Sequence, residues 1–170
     1  MAIANRAADV AIVGLGAMGA AALYQLAKRG IDVLGIDRFN PPHDCGSSHG
    51  GSRVTRLAVG EGAMYVPLVS RSHQLLDELE SEFGEKLLIR SGTLIVGSPV
   101  AATPLHGAND FLAMSMAMAK RFDIPHELFS ADELKQRYPQ FVTFRPTDRG
   151  YFEPQSGYIR PEACIMTQLR

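Results

Sequence analysis

Apolar positions define the opening of the chain. Val10–Val13 is a short, partly β-branched run that stops at G-L-G-A-M-G, the way a buried parallel strand ends in a tight turn. The period then changes. From 17 to 29, Ala21, Leu23, Leu26 and Ala27 fall along one helical stripe, Lys28 and Arg29 close the last turn, and Gly30 suits the C-cap. Residues 31–36 read as a second strand, with Asp37 at its carboxyl end, where open parallel sheets place their ligand contacts. The first forty residues therefore predict a βαβ unit.

Residues 40–52, N-P-P-H-D-C-G-S-S-H-G-G-S, hold two prolines and three glycines and read as a long irregular loop. Loops of that length in compact domains are functional or disordered. Tyr65–Phe83 reads as a helix, with Leu68, Leu75, Leu76 and Leu79 at core spacing and Asp77, Glu78, Glu80 and Glu82 toward water. The stretch 87–96, broken at Ser91 and Gly92, predicts two short strands or one bulged strand. Residues 110–122 predict a Met-rich helix. Ser130 with Glu133 forms a capping-box pattern ahead of a short helix that ends before Pro139. Two short strands around a turn follow within 150–159, and Pro161 suits the first position of a last helix. No internal repeat or low-complexity tract is visible.

Composition adds bounds rather than function. The 170 residues, 46% hydrophobic, suffice for a sizeable core. Net charge is -1, so no strong field points to nucleic acid or an anionic membrane surface. Cys45 and Cys164 lie far apart without metal-ligand spacing or a disulfide framework, and no signal peptide or membrane span is visible. A reducing, cytoplasmic setting is the expectation, with no metal, nucleic acid or membrane partner. Met114, Met116 and Met118 cannot share one stripe and read as adaptable packing.

Chemistry enters at the glycines. G-x-G-x-x-G alone is weak evidence, but here it follows a strand, opens a helix and has Asp37 21 positions after Gly16. Gly14 permits the tight turn, Gly16 lets backbone approach a pyrophosphate, and Gly19 allows close helix-to-strand packing. The helix N-terminus, at Ala17 and Met18, offers unpaired N–H groups and a positive dipole end. Asp37 suits the ribose hydroxyls and repels a 2′-phosphate, which disfavours NADP. The alternative is a bare structural turn with Asp37 capping a loop. FAD and NAD use the same device, so the fingerprint leaves the choice between them open.

The loop decides. G-S-S-H-G-G-S-R-V-T-R, with D-R-F-N-P-P-H before it, G-E-G-A-M-Y-V-P-L after it and F-E-P-Q-S-G-Y-I-R-P-E near the end, resembles the monomeric sarcosine oxidase and N-methyltryptophan oxidase family. These are D-amino-acid-oxidase-like flavoproteins, and the likeness spans nearly the whole chain. It implies an α/β fold: a Rossmann-like FAD-binding part at 1–90, part of a second α+β substrate-binding domain at 91–150, and the start of a return segment at 151–170. The implied activity is FAD-dependent oxidation of the C–N bond of a secondary amino acid to an imine, with oxygen reduced to hydrogen peroxide, by a protein that is a monomer when full length. The opening G-L-G-A-M-G and L-A-K-R-G also look like an NAD-dependent 3-hydroxyacid dehydrogenase, a rival that leaves the loop unexplained. A non-catalytic nucleotide-binding module is the second rival.

Residue by residue, the resemblance puts His49 near the flavin ring, Arg53 beside the flavin, and Arg56 on the substrate carboxylate, a task suited to a planar fork. Cofactor contacts are expected at Gly14, Gly16, Ala17, Met18, Gly19, Asp37, Arg38, Ser47, His49 and Arg53. Many relatives have histidine where this chain has Ser48. His43, His73, His106 and His126 show no pairing in the sequence and read as surface or packing residues, and Cys45 reads as a small loop residue. The family's chain is longer, so these residues are expected to be its N-terminal part, a piece that binds FAD poorly and lacks oxidase activity by itself.

Overall fold

The computed structural model describes residues 7–98 and 110–170. In chain order the elements are β1 (Val10–Val13), α1 (Ala17–Lys28), β2 (Val33–Ile36), β3 (Arg53–Thr55), α2 (Tyr65–Phe83), β4 (Leu88–Ile89) and β5 (Thr93–Gly97). Then come α3 (Phe111–Arg121), β6 (Glu127–Phe129), α4 (Ala131–Arg137), β7 (Arg149–Glu153), β8 (Gly157–Ile159) and α5 (Pro161–Gln168). The mixed α/β class expected from the sequence is the class observed. Two compact units form. One takes the described residues up to Arg53 with Glu78–Leu87 and Ile159–Arg170, and the other takes Val54–Asp77 with the described residues of Leu88–Tyr158.

In the first unit β1 and β2 run parallel in the register Val10↔Val33 to Val13↔Ile36. Helix α1 returns over them and also packs on α5. Its fully buried residue is Ala20, whereas Ala27, expected on the buried stripe, is exposed. The second strand is shorter than expected, since Ile31 donates its N–H back to the Leu26 carbonyl at 3.2 Å and is spent on ending the helix. Tyr24 and Lys28 of α1 both reach Glu82, at 2.9 and 3.2 Å. Such exposed contacts add little stability each. Leu15, Ala163 and Ile165 are buried and supply the apolar filling.

The second unit is built on an antiparallel sheet of order β5-β7-β6, with Thr93 opposite Glu153 and Phe129 opposite Gly150. Helix α3 packs on β5, and α4 packs on β6 and β7. Its core gathers Ala58, Val66, Leu112, Met118, Ala119, Ile124 and Tyr151. The helix starts are chemically specified. Asp110 Oδ1 accepts the Ala113 N–H at 2.9 Å, and Ser130 and Glu133 close the expected capping box. A second small sheet has the order β3-β8-β4.

Several readings need correction. The loop after residue 40 does not run unbroken to 56, because β3 forms at Arg53–Thr55. The two short strands expected around a turn within 150–159 do form, as β7 and β8, and they join different sheets. Leu68, placed at core spacing on α2, is 65% exposed, while Leu76 and Leu79 are buried. Among the described residues no helix is long and apolar enough to cross a membrane.

Candidate functional site

The glycine turn behaves as its sequence requires. Gly14 has φ +89 and its N–H donates to the Ile36 carbonyl at 2.7 Å, joining the end of β1 to the end of β2. At Gly19 a Cβ would stand 1.7 Å from the Gly14 carbonyl oxygen, so α1 can lie this close to the turn only without a side chain there. Gly16 is the N-cap of α1 and offers no side-chain cap, nor is there an acidic residue in the first turn. The positive end of the helix is thus left to whatever lies in front of it. Ser48 Oγ accepts the Ala17 N–H at 3.1 Å, bringing the later loop against the start of the helix. Met18, in that first turn, is 87% exposed.

Asp37 closes the other side. Its Oδ2 accepts the Leu15 N–H at 2.6 Å and its Oδ1 accepts the Phe39 N–H at 2.9 Å. His43 Nε2 lies 3.2 Å from Oδ1. The Phe39 and Leu15 amides, and then His43, hold the carboxyl below its ordinary value. Around this carboxylate runs a cleft of about 620 Å³, lined among others by Gly14, Gly16, Asp37, Arg38, His43 and Ser48. That volume suits a cofactor fragment. His43 was read as unpaired, and the structure corrects this: besides Asp37, its Nδ1 faces the Cys45 N–H at 3.2 Å and its ring meets Phe39 edge-on at 5.1 Å. His106 lies outside the described residues.

The rest of the loop is tied to α5. The Gly50 and Gly51 N–H groups donate to Glu162 Oε1 at 2.6 and 3.2 Å, and the residue's own backbone N–H, then these two, hold the Glu162 carboxyl below its ordinary value. Arg53 is exposed and folds back on its own loop, donating to the Ser52 carbonyl at 2.9 Å and the Ser47 carbonyl at 3.3 Å. His49 is half-buried, and Arg38 is exposed at the cleft with its guanidinium over Phe39. Gly14, Gly16, Ala17, Met18, Gly19, Asp37, Arg38, Ser47, His49 and Arg53 all belong to the first unit.

Arg56 belongs to the second. Its Nη2 donates to Glu61 Oε1 at 2.6 Å, its guanidinium lies 4.9 Å from the centre of the Phe111 ring, and its buried Nε has no hydrogen-bond partner. Immediately after it, the Leu57 and Ala58 N–H groups donate to the two oxygens of Glu153, at 2.6 and 3.0 Å. Glu153 is fully buried and also accepts from the Tyr151 hydroxyl at 2.8 Å and from the Ser156 hydroxyl. Burial, then the bond to Glu153, pushes the Tyr151 hydroxyl far up. His73 is buried, in keeping with a packing residue, but it does have a partner: its Nε2 lies 2.8 Å from Thr55 Oγ1. His126 likewise has partners, the Ile124 carbonyl at 2.8 Å and the Tyr151 ring.

Three polar residues at these positions were not singled out in the sequence, Glu61, Glu153 and Glu162, and His43 reads there only as a surface or packing residue. A signal exists for Glu153. It is an acid inside the aromatic stretch Y-F-E-P, on a strand where a lone solvent-facing carboxylate would break the apolar pattern.

The turn, the helix start with no N-cap side chain and the oriented Asp37 define a dinucleotide-binding βαβ protein. Residues 9–170 match the family model described as FAD dependent oxidoreductase, and the chain belongs to that family. This separates FAD from NAD, which the fingerprint alone could not do. The chain is 39% identical, over 95% of its length, to a monomeric sarcosine oxidase of Streptomyces avermitilis. It is 38% identical, again over 95%, to an N-methyl-L-tryptophan oxidase of Yersinia pestis (strain Pestoides F). It spans 40% and 41% of those two curated relatives' lengths. Among solved structures, NikD, an unusual amino acid oxidase essential for nikkomycin biosynthesis, superimposes with a TM-score of 0.79 at 24% identity, covering 95% of this chain and 39% of that one. That likeness shows the shared fold.

Proposed function

We propose that the protein oxidises the C–N bond of a secondary amino acid, N-methyl or cyclic, such as sarcosine or N-methyltryptophan, to an imine, with oxygen reduced to hydrogen peroxide. The observation that carries this reading is the state of Arg56. A guanidinium held at one end by Glu61 and on one face by Phe111, with a buried Nε still unpartnered, has donor capacity left for a carboxylate. The two oxidases named above support the substrate class, because sarcosine and N-methyltryptophan are both N-methyl amino acids.

FAD would supply the redox chemistry when bound, accepting one hydride equivalent, two electrons with one proton, from the carbon next to the amine nitrogen, while the nitrogen gives up the second proton. The residues in the first unit fit its ADP half: a helix start with no N-cap side chain for the pyrophosphate at Gly16, Ala17 and Met18, a close approach kept open at Gly19, and an acceptor at Asp37 for the ribose hydroxyls. Ser47, Arg38, His49 and Arg53 complete the proposed cofactor contacts, with His49 and Arg53 assigned to the flavin end and Arg53 bringing positive charge there. Arg56 binds the substrate carboxylate and so fixes which C–H bond is presented. In this reading residues 1–90 serve FAD and also carry Arg56 for the substrate, 91–150 serve the substrate, and 151–170 begin a return segment. The protein works as a monomer on a small amino acid and oxygen.

The test is made on the FAD-loaded protein, assaying peroxide with sarcosine, N-methyltryptophan and pipecolate. One of the three is expected to give peroxide, and Arg56→Ala is expected to raise its KM by on the order of 30-fold, the equivalent of about 2 kcal/mol for a truncated charge pair. Nicotinamide-dependent turnover without peroxide, or an unchanged KM in Arg56→Ala, overturns the reading.

A further inference from the structure

We propose that Glu153 is the positioning residue for Arg56: its buried carboxylate grips the two backbone amides that follow the arginine and so sets the direction in which the guanidinium is presented. The proposal rests on the reading of Arg56 as the carboxylate anchor.

A carboxylate with no exposed surface is expensive to place in a core, and here every group it accepts from is a neutral donor. The arrangement of those donors explains why a carboxylate stands there. Oε1 accepts from the Leu57 N–H and the Ser156 hydroxyl, and Oε2 accepts from the Ala58 N–H and the Tyr151 hydroxyl. The two hydroxyls can turn and accept instead, but a backbone N–H can only donate. A glutamine at this position would set its amide nitrogen against one backbone N–H in either orientation. Only a group that accepts on both atoms satisfies the segment.

That segment begins one bond from Arg56. The Leu57 N–H lies in the same peptide plane as the Arg56 carbonyl and Cα, so fixing the N–H direction fixes the torsion that links this plane to Arg56. The side chain is then held at both ends: at its root by Glu153 through Leu57 and Ala58, and at its tip by Glu61 and the Phe111 ring. Without the grip at the root, the guanidinium keeps its charge but loses its fixed approach to a planar carboxylate.

The experiment uses the FAD-loaded protein and measures binding of acetate by calorimetry, with acetamide as the neutral counterpart. Glu153→Gln is expected to weaken acetate binding about tenfold, a mid-range coupling between neighbouring groups, and to raise KM while leaving kcat within about threefold. In the Arg56→Ala background the same substitution is expected to cause no further loss, and acetamide binding is expected not to respond. Tyr151→Phe, which removes a hydroxyl donor but neither backbone bond, is expected to retain acetate affinity. Wild-type acetate affinity in Glu153→Gln, or an equal loss in the Arg56→Ala background, overturns the proposal. If Glu153→Gln does not accumulate as folded protein, Glu153→Asp, too short to hold both amides, replaces it in the same cycle. Arg56→Ala with wild-type acetate affinity instead refutes the anchor reading itself.

Discussion

His43 Nε2 stands 3.2 Å from Asp37 Oδ1, and the proton between them belongs to the imidazole. The Cys45 N–H points at Nδ1, so Nδ1 accepts and a neutral ring must carry its hydrogen on Nε2. His43 therefore steadies the carboxylate proposed to receive the ribose. His43→Leu is expected to weaken FAD binding on the order of tenfold, as for a lost hydrogen bond to a charged group, and His43→Gln to restore most of it. Fluorescence titration of FAD into the apoprotein measures both. Wild-type affinity in His43→Leu removes the histidine from the site.

Asp37 gives a pH dependence with a definite sign. Its folded value is lowered by the Phe39 and Leu15 amides, so its contribution to stability is complete above its ordinary value of 3.8 and is lost as pH falls through the lower folded value. The melting-temperature gap between wild type and Asp37→Asn is expected to be constant near neutrality and to shrink below pH 3.8. A gap that widens in acid contradicts the assignment.

His73 acts at milder pH. Burial, then the positive charge of Arg90, lowers its folded value below the ordinary 6.5. As pH falls past 6.5 the unfolded chain takes up the proton first, so stability declines until the folded value is also passed. His73→Gln is expected to melt with a flatter dependence between neutrality and the folded value. Parallel curves for the two proteins exclude the buried imidazole as the cause.

Gly19→Ala tests the helix-to-turn contact. With the Gly14 oxygen 1.7 Å from the new methyl, α1 must move bodily away, and a loss of about 3 kcal/mol or more is expected, at the upper end for overpacking. Gly14→Ala meets open space and suffers only the strain of φ +89, about 1–2 kcal/mol. Denaturant unfolding should rank them in that order.

The two cysteines should separate by reactivity. Cys164 is buried and its thiol is pushed up to about 11, chiefly by burial, while Cys45 is exposed. Maleimide labelling of the native protein near neutral pH is expected to modify Cys45 and to spare Cys164, as peptide mapping would show.

Local chemistry was the legible part of the sequence. The bounds of α2 and the capping box at Ser130 follow from periodicity and side-chain pairing within a few residues, and both are observed. The glycine turn was legible for the same reason. Long-range pairing was not. β3 forms from the arginine-bearing loop because β8, about a hundred residues later, offers it a partner, and no local pattern announces that. The role of Glu153 was not legible, because its two amide donors lie 96 and 95 residues away. Leu68 kept helical core spacing yet stands exposed, since spacing identifies a face and not what covers it.

The bond from Gly50 to Glu162 joins residues 112 apart, which turns the shape of the loop into a matter of timing. At common rates of synthesis roughly 5 to 20 seconds pass between the making of one partner and of the other. Throughout that interval the loop carrying His49 lacks this clasp. The nascent chain can finish its glycine turn early, but the neighbouring loop gains its hold at Gly50 and Gly51 only after helix α5 has been made and has packed on α1.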